Sequence, residues 1–266
     1  MKKFFLLLTF LAVLLIQFIQ QPACAASFTQ RVSDLRPKAE KGDLQAQNDL
    51  ALLYCEEGPR QNYKIAFEWF KRAAQKGFPE SMYYLANLYS SGLGVKEDRV
   101  EAVGWYRKAA AKGHLESKNI LGTMYEVGDL VNYDTKEAAR LFEEAAKKNY
   151  PPAQGNLARM LLYGAEEVYP DTKAAFYWAS KAAENQDPQG LYILGVMYQT
   201  GQGVQVDKTT AASLFYESAM QGYAEAQYSL GLAYKNGDGV ERDLNTAYEW
   251  FSLAAQQGHP EAANEI

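Results

Sequence analysis

Residues 223–258 read YAEAQYSLGLAYKNGDGVERDLNTAYEWFSLAAQQG, and this stretch decides the fold. Its apolar residues recur three and four positions apart in two blocks, which predicts two amphipathic helices. Gly237 and Gly239 stand between the blocks. Glycine tolerates the positive φ that ends a helix and turns the chain into the next one. The stretch therefore predicts a helix–loop–helix unit.

The chain repeats this unit. The preceding copy, residues 187–222, reads DPQGLYILGVMYQTGQGVQVDKTTAASLFYESAMQG. We divide the array into six copies of 35 to 37 residues: 43–77, 78–113, 114–149, 150–186, 187–222 and 223–258. A period in this range is typical of a solenoid or other repeat array. We predict an all-α solenoid of about six repeats.

The second helix of every copy follows one pattern. An Asp or Asn stands where the helix begins, and its side chain can accept from free backbone N–H groups. These predicted caps are Asn62, Asp98, Asp134, Asp171, Asp207 and Asp243. A large residue follows seven positions later, at Trp69, Trp105, Leu141, Trp178, Leu214 and Trp250. Aromatic residues at a fixed repeat position are typical of a core, so we assign the tryptophans to structure. Each copy closes on Gly, Asn or Gln.

Together these features resemble the Sel1-like repeat family, a relative of the tetratricopeptide repeats. The matching motifs are the GxGV loops, the DxxxAxxWxxxAA pattern of the second helix and the terminal Gly, and they cover residues 43–258. The resemblance implies a right-handed superhelix of paired antiparallel helices, with the first helices on the concave side. It also implies a role in holding other proteins, often at membranes or envelopes.

The first 25 residues carry the pattern of a secretory signal peptide. A lysine pair precedes an apolar run over 4–19, and residues 23–25 (ACA) fit the small-x-small cleavage pattern. We predict cleavage after Ala25 and no membrane insertion of the mature chain. Two alternatives are a retained anchor, for which the apolar run is short, and lipidation of Cys24, whose upstream residues depart from a lipobox.

The predicted repeats are flanked by two short segments. Residues 26–42 predict an N-terminal cap, because 38–42 resemble the end of a second helix, and Pro37 should break a longer helix there. Residues 259–266 begin a seventh first helix, a partial repeat whose Ala262, Ala263 and Ile266 should cover copy six. The ends of a repeat array need such caps.

The charge of the chain argues against nucleic acid as a partner. It has 27 basic and 32 acidic residues, a net charge of −5, and no basic run. Binding to nucleic acid needs clustered Lys and Arg. The same composition argues against docking on anionic lipid.

Cysteine is sparse. Once Cys24 leaves with the signal peptide, Cys55 is the single cysteine of the mature chain, so no internal disulfide is predicted. An odd thiol in an exported protein can pair with a partner. The alternative is that Cys55 acts as a small hydrophobe at the end of the first helix of copy one.

The sequence offers no catalytic signature. His114 and His259 occupy the first positions of repeats four copies apart, where we expect surface turns. No HExxH, paired CxxC or GxSxG motif occurs. The GxGV loops lack the further residues of phosphate-binding motifs, so their glycines are assigned to turns. We therefore predict that the protein is not an enzyme and has no cofactor and no metal site.

Candidate partner-binding residues come from the inward positions that the resemblance implies, two before and two after the central Leu of each first helix. Copies five and six place large side chains there, whereas the middle copies, two to four, are polar. The candidates are Tyr83, Asn87, Tyr192, Val196, Tyr228 and Leu232. Tyrosine offers a large contact area with one polar group, which suits interfaces. The alternative is that these tyrosines pack on adjacent first helices.

The preferred function is a non-catalytic scaffold or regulator that holds a protein or peptide in the concave groove of an α-solenoid. We expect it in the periplasm of a bacterial envelope, with secretion as the alternative, and we expect a monomer. Other hypotheses are an exported factor that engages a host, and a hydrolase of cell-wall or β-lactam substrates. A hydrolase would need a nucleophile beside a general base, and the sequence shows no such pair.

Overall fold

The computed structural model describes residues 27–56 and 61–266, and within them the protein is a row of helices. The predicted signal peptide, Cys24 and most of the loop of copy one lie outside the described residues. Thirteen α-helices are α1 (Phe28–Glu40), α2 (Leu44–Cys55), α3 (Tyr63–Gln75), α4 (Pro79–Ser91), α5 (Arg99–Ala111), α6 (Leu115–Val127), α7 (Thr135–Ala146), α8 (Pro151–Tyr163), α9 (Thr172–Glu184), α10 (Pro188–Thr200), α11 (Lys208–Met220), α12 (Ala224–Asn236) and α13 (Leu244–Gln256).

Each copy contributes two of these helices, which pack on each other and on the next copy. Even-numbered helices from α2 to α12 are the first helices of the six copies, and odd-numbered helices from α3 to α13 are the second. The described residues contain no β-strand, only an isolated bridge between Ala165 and Val168 in the loop of copy four. The prediction of an all-α array is confirmed.

The predicted caps of the second helices are all in place. Each side chain accepts from a backbone N–H two or three residues ahead, and the bonds to the third residue ahead span 2.8 to 3.3 Å. The backbone N–H of the cap donates in turn to the last turn of the preceding first helix, as Asp98 does to Tyr89. One residue therefore starts the second helix and fixes its position against the first.

The second glycine of the GxGV loop makes a close inter-repeat contact. Gly239 has a φ of +75°, and a Cβ there would lie 2.0 Å from the carbonyl oxygen of Lys208 at the start of α11. Gly94 stands in the same relation to Tyr63. No larger residue fits between these backbones, so the glycine sets how closely consecutive copies approach.

The last residue of each copy takes a positive φ, as the closing Gly, Asn or Gln predicts. In two copies this residue carries a side chain, Asn149 at +59° and Gln186 at +58°. Left-handed backbone is unfavourable for most residues other than glycine, and Asn tolerates it better than most. The turn that joins one copy to the next is thus the same throughout the array.

The core runs along the array between the two layers of helices. Phe70, Phe142 and Phe215, one from the second helix of copies one, three and five, are fully buried. Buried glutamines of the first helices donate to the preceding copy, although the Gln154 Oε1 has no hydrogen-bond partner among the described residues. Gln154 donates to the carbonyl of Ala146, and Gln227 donates to that of Ala219.

Two sequence predictions about the ends of the array are wrong. Pro37 does not stop a helix, because α1 continues to Glu40. The proline sits near the end of α1 on an exposed side, where the missing N–H leaves only the solvent-facing carbonyl of Ser33 without its helical donor.

At the other end, residues 262–264 form a single 3₁₀ turn and no longer helix. Ala262 is buried against copy six as predicted, but Ala263 and Ile266 are exposed. Ala262 is the one buried residue of the turn, so the apolar stripe that a full helix would place against copy six does not form.

Candidate protein-binding face

The six candidate residues lie on the first helices and all are partly exposed. They fall into two groups on separate repeats. Tyr192, Val196, Tyr228 and Leu232 come from the neighbouring helices α10 and α12, whereas Tyr83 and Asn87 lie on α4. The structure thus brings the first four onto adjacent copies and leaves the other two apart from them.

The two tyrosines of copies five and six also take part in packing between repeats. The Tyr192 ring lies 5.9 Å from that of Phe215 and 5.4 Å from that of Tyr223, and burial raises its pKa to about 12. Tyr228 lies 5.6 Å from Phe251 and stacks on His259 at 4.5 Å. Each ring therefore has one side in the core and one edge that reaches solvent.

In copy two the polar groups of the candidate residues already form hydrogen bonds within the chain. Tyr83 stacks on His114 at 4.8 Å, and its hydroxyl donates to the Glu116 carboxylate. Burial, together with that hydrogen bond, raises the pKa of Tyr83. The hydroxyl of Tyr106 donates to Asn87. A partner at this copy would compete with bonds that already exist.

Copies three and four pair their polar residues across the first-helix layer. Asn156 donates to Asn119 at 2.9 Å, and Arg159 contacts the Glu126 carboxylate at 2.6 Å. Thr123 is exposed. The layer is therefore held together by side-chain bonds in its middle and by ring contacts toward its end.

A stacking contact between successive copies was not predicted from the sequence. His114, Tyr223 and His259 are the first residues of their repeats, and each stacks on or tilts against the inward tyrosine of the copy before. The histidines, expected in surface turns, are half-buried in these contacts. The signal was present in the sequence as an aromatic residue at the first position of several copies.

A further exposed residue of this layer is Tyr163, the last residue of α8, with 55% of its surface accessible. Its position, one turn beyond Arg159, extends the first-helix face of copies five and six toward copy four. It was not among the candidates, because these came from only two inward positions on each first helix.

Cys55 is the free cysteine of the described residues. Burial raises the pKa of the Cys55 thiol to about 11, and Cys55 packs against the core of the first copies.

No cluster of three or more His, Cys, Asp or Glu suited to a metal ion occurs in residues 27–56 and 61–266. Over the same ranges, no helix has the length and apolar character to cross a membrane.

The tryptophan rings of the second helices differ in which side chains lie over them. Trp69 and Trp105 are buried, and each carries a cation over its ring: Arg72 at 4.6 Å and Lys108 at 3.8 Å. Trp250 is half-buried and packs edge-on against Tyr216 at 6.2 Å. The structural role predicted for these residues is seen, but their outer faces differ.

Comparison with known proteins gives one family and several solved structures. The model of the Sel1 repeat matches six times, at residues 44–78, 79–114, 115–150, 151–187, 188–223 and 224–259. Each match begins one residue after our own division of the array. Among curated proteins no match was found.

The chain is similar to a protective antigen present in uropathogenic Escherichia coli strains, with 32% identity and a TM-score of 0.73. The match covers 93% of this chain but 53% of that protein, so the chain spans about half its length. A Sel1 repeat protein from Oxalobacter formigenes is 29% identical with a TM-score of 0.74, over 82% of this chain and 87% of the other. An immunity protein from Pseudomonas aeruginosa, 21% identical over 85% of this chain and 84% of its own, with a TM-score of 0.50, shares the fold.

Proposed function

Because the chain belongs to the Sel1 repeat family, a group of right-handed α-solenoids that commonly mediate protein–protein interaction, we propose that it is a non-catalytic scaffold or regulator of the bacterial envelope. It holds a protein or peptide partner in the concave groove formed by its first helices. Repeat arrays present extended surfaces of this kind. The partner-binding part is the first-helix face of copies five and six.

The observation that carries this proposal is the row of half-exposed side chains on α10 and α12. Val196 and Leu232 present aliphatic surface beside the ring edges of Tyr192 and Tyr228. Among the described residues the Tyr228 hydroxyl has no hydrogen-bond partner. Binding energy usually gathers at a few large side chains that a partner can desolvate, and this row offers four on adjacent helices.

The periplasmic location is supported by the signal-peptide pattern of residues 1–25. N-terminal sequencing of the exported protein tests it, and the expected first residue is Ala26. A retained leader would point to an anchored protein, and a lipid on Cys24 would point to a lipoprotein. We further propose a monomer, which sedimentation over a range of concentrations checks.

The groove is tested with charges rather than deletions, since truncating Tyr192 or Tyr228 would also disturb the core. We choose Val196→Glu with Leu232→Glu, which adds two carboxylates to the row and leaves the rings in place. The matched control is Thr123→Glu at the equivalent position of copy three. Partners are captured by crosslinking in periplasmic extract and quantified for each variant.

The double variant should lose most capture, because a buried unpaired charge opposes an apolar interface, while the control keeps it. Circular dichroism and the unfolding midpoint must stay close to those of the parent protein for the comparison to count. Equal capture by both variants would show that the groove of copies five and six is not the binding site. Steady hydrolysis of cell-wall or β-lactam substrates by the pure protein would overturn the non-catalytic assignment.

A second candidate is an exported factor that meets a host. The observation favouring it is the 32% identity to a protective antigen of uropathogenic Escherichia coli, which covers 93% of this chain. The two candidates differ in where the partner originates. Under the second, the same Glu variants should lose capture from host-cell extract and not from periplasmic extract.

A further inference from the structure

The second helices form the opposite layer of the array, and two of their tryptophans show what this position binds. Trp69 and Trp105 each hold a cation on the ring, supplied three residues later by Arg72 and Lys108. A cation over an aromatic face is attracted by the negative π-surface. In these copies the chain fills the site itself.

Copy six lacks the cation. The residue three positions after Trp250 is Leu253, which is 42% exposed. No Lys or Arg of the described residues lies over the Trp250 ring. The position that is filled in copies one and two is therefore open here.

Apolar side chains of α11 and α13 are exposed around Trp250, and we call the surface that Tyr216, Met220, Trp250 and Leu253 share the groove. Tyr216, 47% exposed, contacts Trp250, and Met220 lies one turn further along α11 with 62% exposed. Residues one turn apart lie on the same face of a helix. Tyr216 and Met220 thus supply the α11 side of the groove, Trp250 and Leu253 supply the α13 side, and the Tyr216–Trp250 contact joins the two.

The exposed charges that border this groove are acidic. Glu217 and Glu249 are both exposed, and neither takes part in an ion pair with the described residues. Helix α13 contains no Lys or Arg, and Lys208 of α11 is paired with Asp238. The groove therefore combines apolar walls, an uncovered indole ring and two free carboxylates.

We propose that this groove binds a basic amphipathic helical segment of a partner protein, in addition to the concave site. A Lys or Arg of the segment lies over Trp250, as Lys108 lies over Trp105 within the chain, and its apolar face packs between Met220 and Leu253. Glu217 and Glu249 attract the basic side chains and steer the segment. In a two-fold contact, a second copy of this chain would place unpaired carboxylates against the same acidic border, which is unfavourable.

The probe is a synthetic amphipathic peptide of about 15 residues, a length at which isolated helices begin to be stable. It carries Leu three and four residues apart and Lys on the other positions. A second peptide keeps every Leu and replaces Lys by Glu. Binding is followed by methyl NMR of the methionines, because Met220 is exposed whereas Met82, Met160 and Met197 are buried and serve as internal references.

The basic peptide should shift the Met220 methyl signal and bind at least about tenfold more tightly than the acidic one, the combined effect of a cation–π contact and two rim charges. Leu253→Arg should remove most of this binding, because the new guanidinium covers Trp250 from within the chain. Glu249→Lys should weaken it as well. The matched control is Glu68→Lys, which changes the residue before Trp69 in copy one and should have no effect.

Three results would each overturn the proposal. One is equal binding of the acidic peptide, and another is a shift at the buried methionines with none at Met220. The third is a Met220 shift on raising protein concentration without peptide, accompanied by a larger sedimentation coefficient, which would make a second copy the occupant. All variants should keep normal capture at the concave face, so failure here is distinguishable from failure of the proposed function.

Discussion

Copies two and six have the same kinds of residue at the same positions, yet the contacts that cover these residues differ. In both, an inward tyrosine stacks on a histidine that begins the next copy, Tyr83 on His114 and Tyr228 on His259. In copy two the tyrosine hydroxyl also donates to Glu116, and Lys108 lies over the tryptophan ring of the second helix.

Copy six leaves the corresponding groups open. The Tyr228 hydroxyl has no partner in the described part of the chain, and Leu253 stands where copy two has Lys108. The packing between repeats is retained, so the fold does not depend on these outer contacts. Copy six therefore keeps the packing between repeats and exposes groups that copy two covers.

The largest expected effect concerns the packing of the inward tyrosine rings, which copies five and six share with copy two. Tyr192→Ala with Tyr228→Ala should lower the free energy of unfolding by about 2 kcal/mol for each half-buried ring. Asn119→Ala with Thr123→Ala is the control and should cost much less. Urea unfolding monitored by circular dichroism measures both. An unchanged midpoint for the tyrosine pair would mean that the rings serve only the surface.

The next effect separates copy two from copy six directly. Tyr83→Phe removes a hydroxyl bonded to the Glu116 carboxylate and should cost about 1.5 kcal/mol, typical of a bond to a charged group. Tyr228→Phe removes a hydroxyl without a partner among the described residues and should change stability by less than about 0.5 kcal/mol. Equal losses in urea unfolding would remove the distinction between the two copies.

A smaller effect is expected when the residue three positions after a tryptophan of the second helix is changed. Lys108→Met takes the cation from the Trp105 ring and should lower stability by about 0.5 kcal/mol, and Leu253→Lys should raise it by a similar amount by covering Trp250. Thermal unfolding of the two variants and of the parent at low salt gives the comparison. If Leu253→Lys brings no gain, the open ring of copy six does not attract a cation.

The smallest effect appears in the pH dependence of two helix caps in copy five. Burial raises the pKa of Asp187, which caps α10, whereas hydrogen bonds from Thr210 lower the pKa of Asp207, which caps α11. The ionised Asp207 stabilises the fold above its unfolded pKa, and this contribution is lost as the pH falls through the folded pKa. Asp187 has the opposite sign, because its ionised form is the one that burial disfavours.

Asparagine caps a helix about as well as aspartate, so Asn variants isolate the charge. Asp187→Asn should raise stability at neutral pH and give no gain in acid. Asp207→Asn should lower stability at neutral pH, with the difference closing in acid. Unfolding midpoints measured from about pH 7 to pH 3 check both signs. Parallel curves for the two variants would contradict the burial of Asp187.

Local chemistry made most of the array predictable. The helix caps and the positive-φ residue that ends each copy depend on neighbours within a few positions, and they recur with a period of 35 to 37 residues. The structure has them where the sequence places them. The error at Pro37 arose because the rule for a helix interior was applied near a helix end, where the lost hydrogen bond faces solvent.

The site was less predictable. Position in the repeat indicated that Tyr192, Tyr228 and Tyr83 lie on the first-helix face, but it did not show what each ring touches. The stack on His114, Tyr223 or His259 joins residues about 30 positions apart. Such contacts depend on how closely consecutive copies approach, which a pattern within one copy does not contain.

Sequence alone was therefore enough for the number of repeats, the helices and their caps, because these depend on neighbours within a turn or a loop. The distance between copies, limited by backbone contacts such as that of Gly239 with Lys208, decided the rest. The Tyr83 hydroxyl meets Glu116 of the next copy, whereas that of Tyr228 meets no carboxylate in the described chain, where residues 262–264 form a single 3₁₀ turn. The cation over Trp105 and its absence over Trp250 follow instead from a local difference, Lys108 against Leu253. Two repeats with nearly the same sequence pattern thus differ in the surface that they expose, since exposure is a property of the packed array.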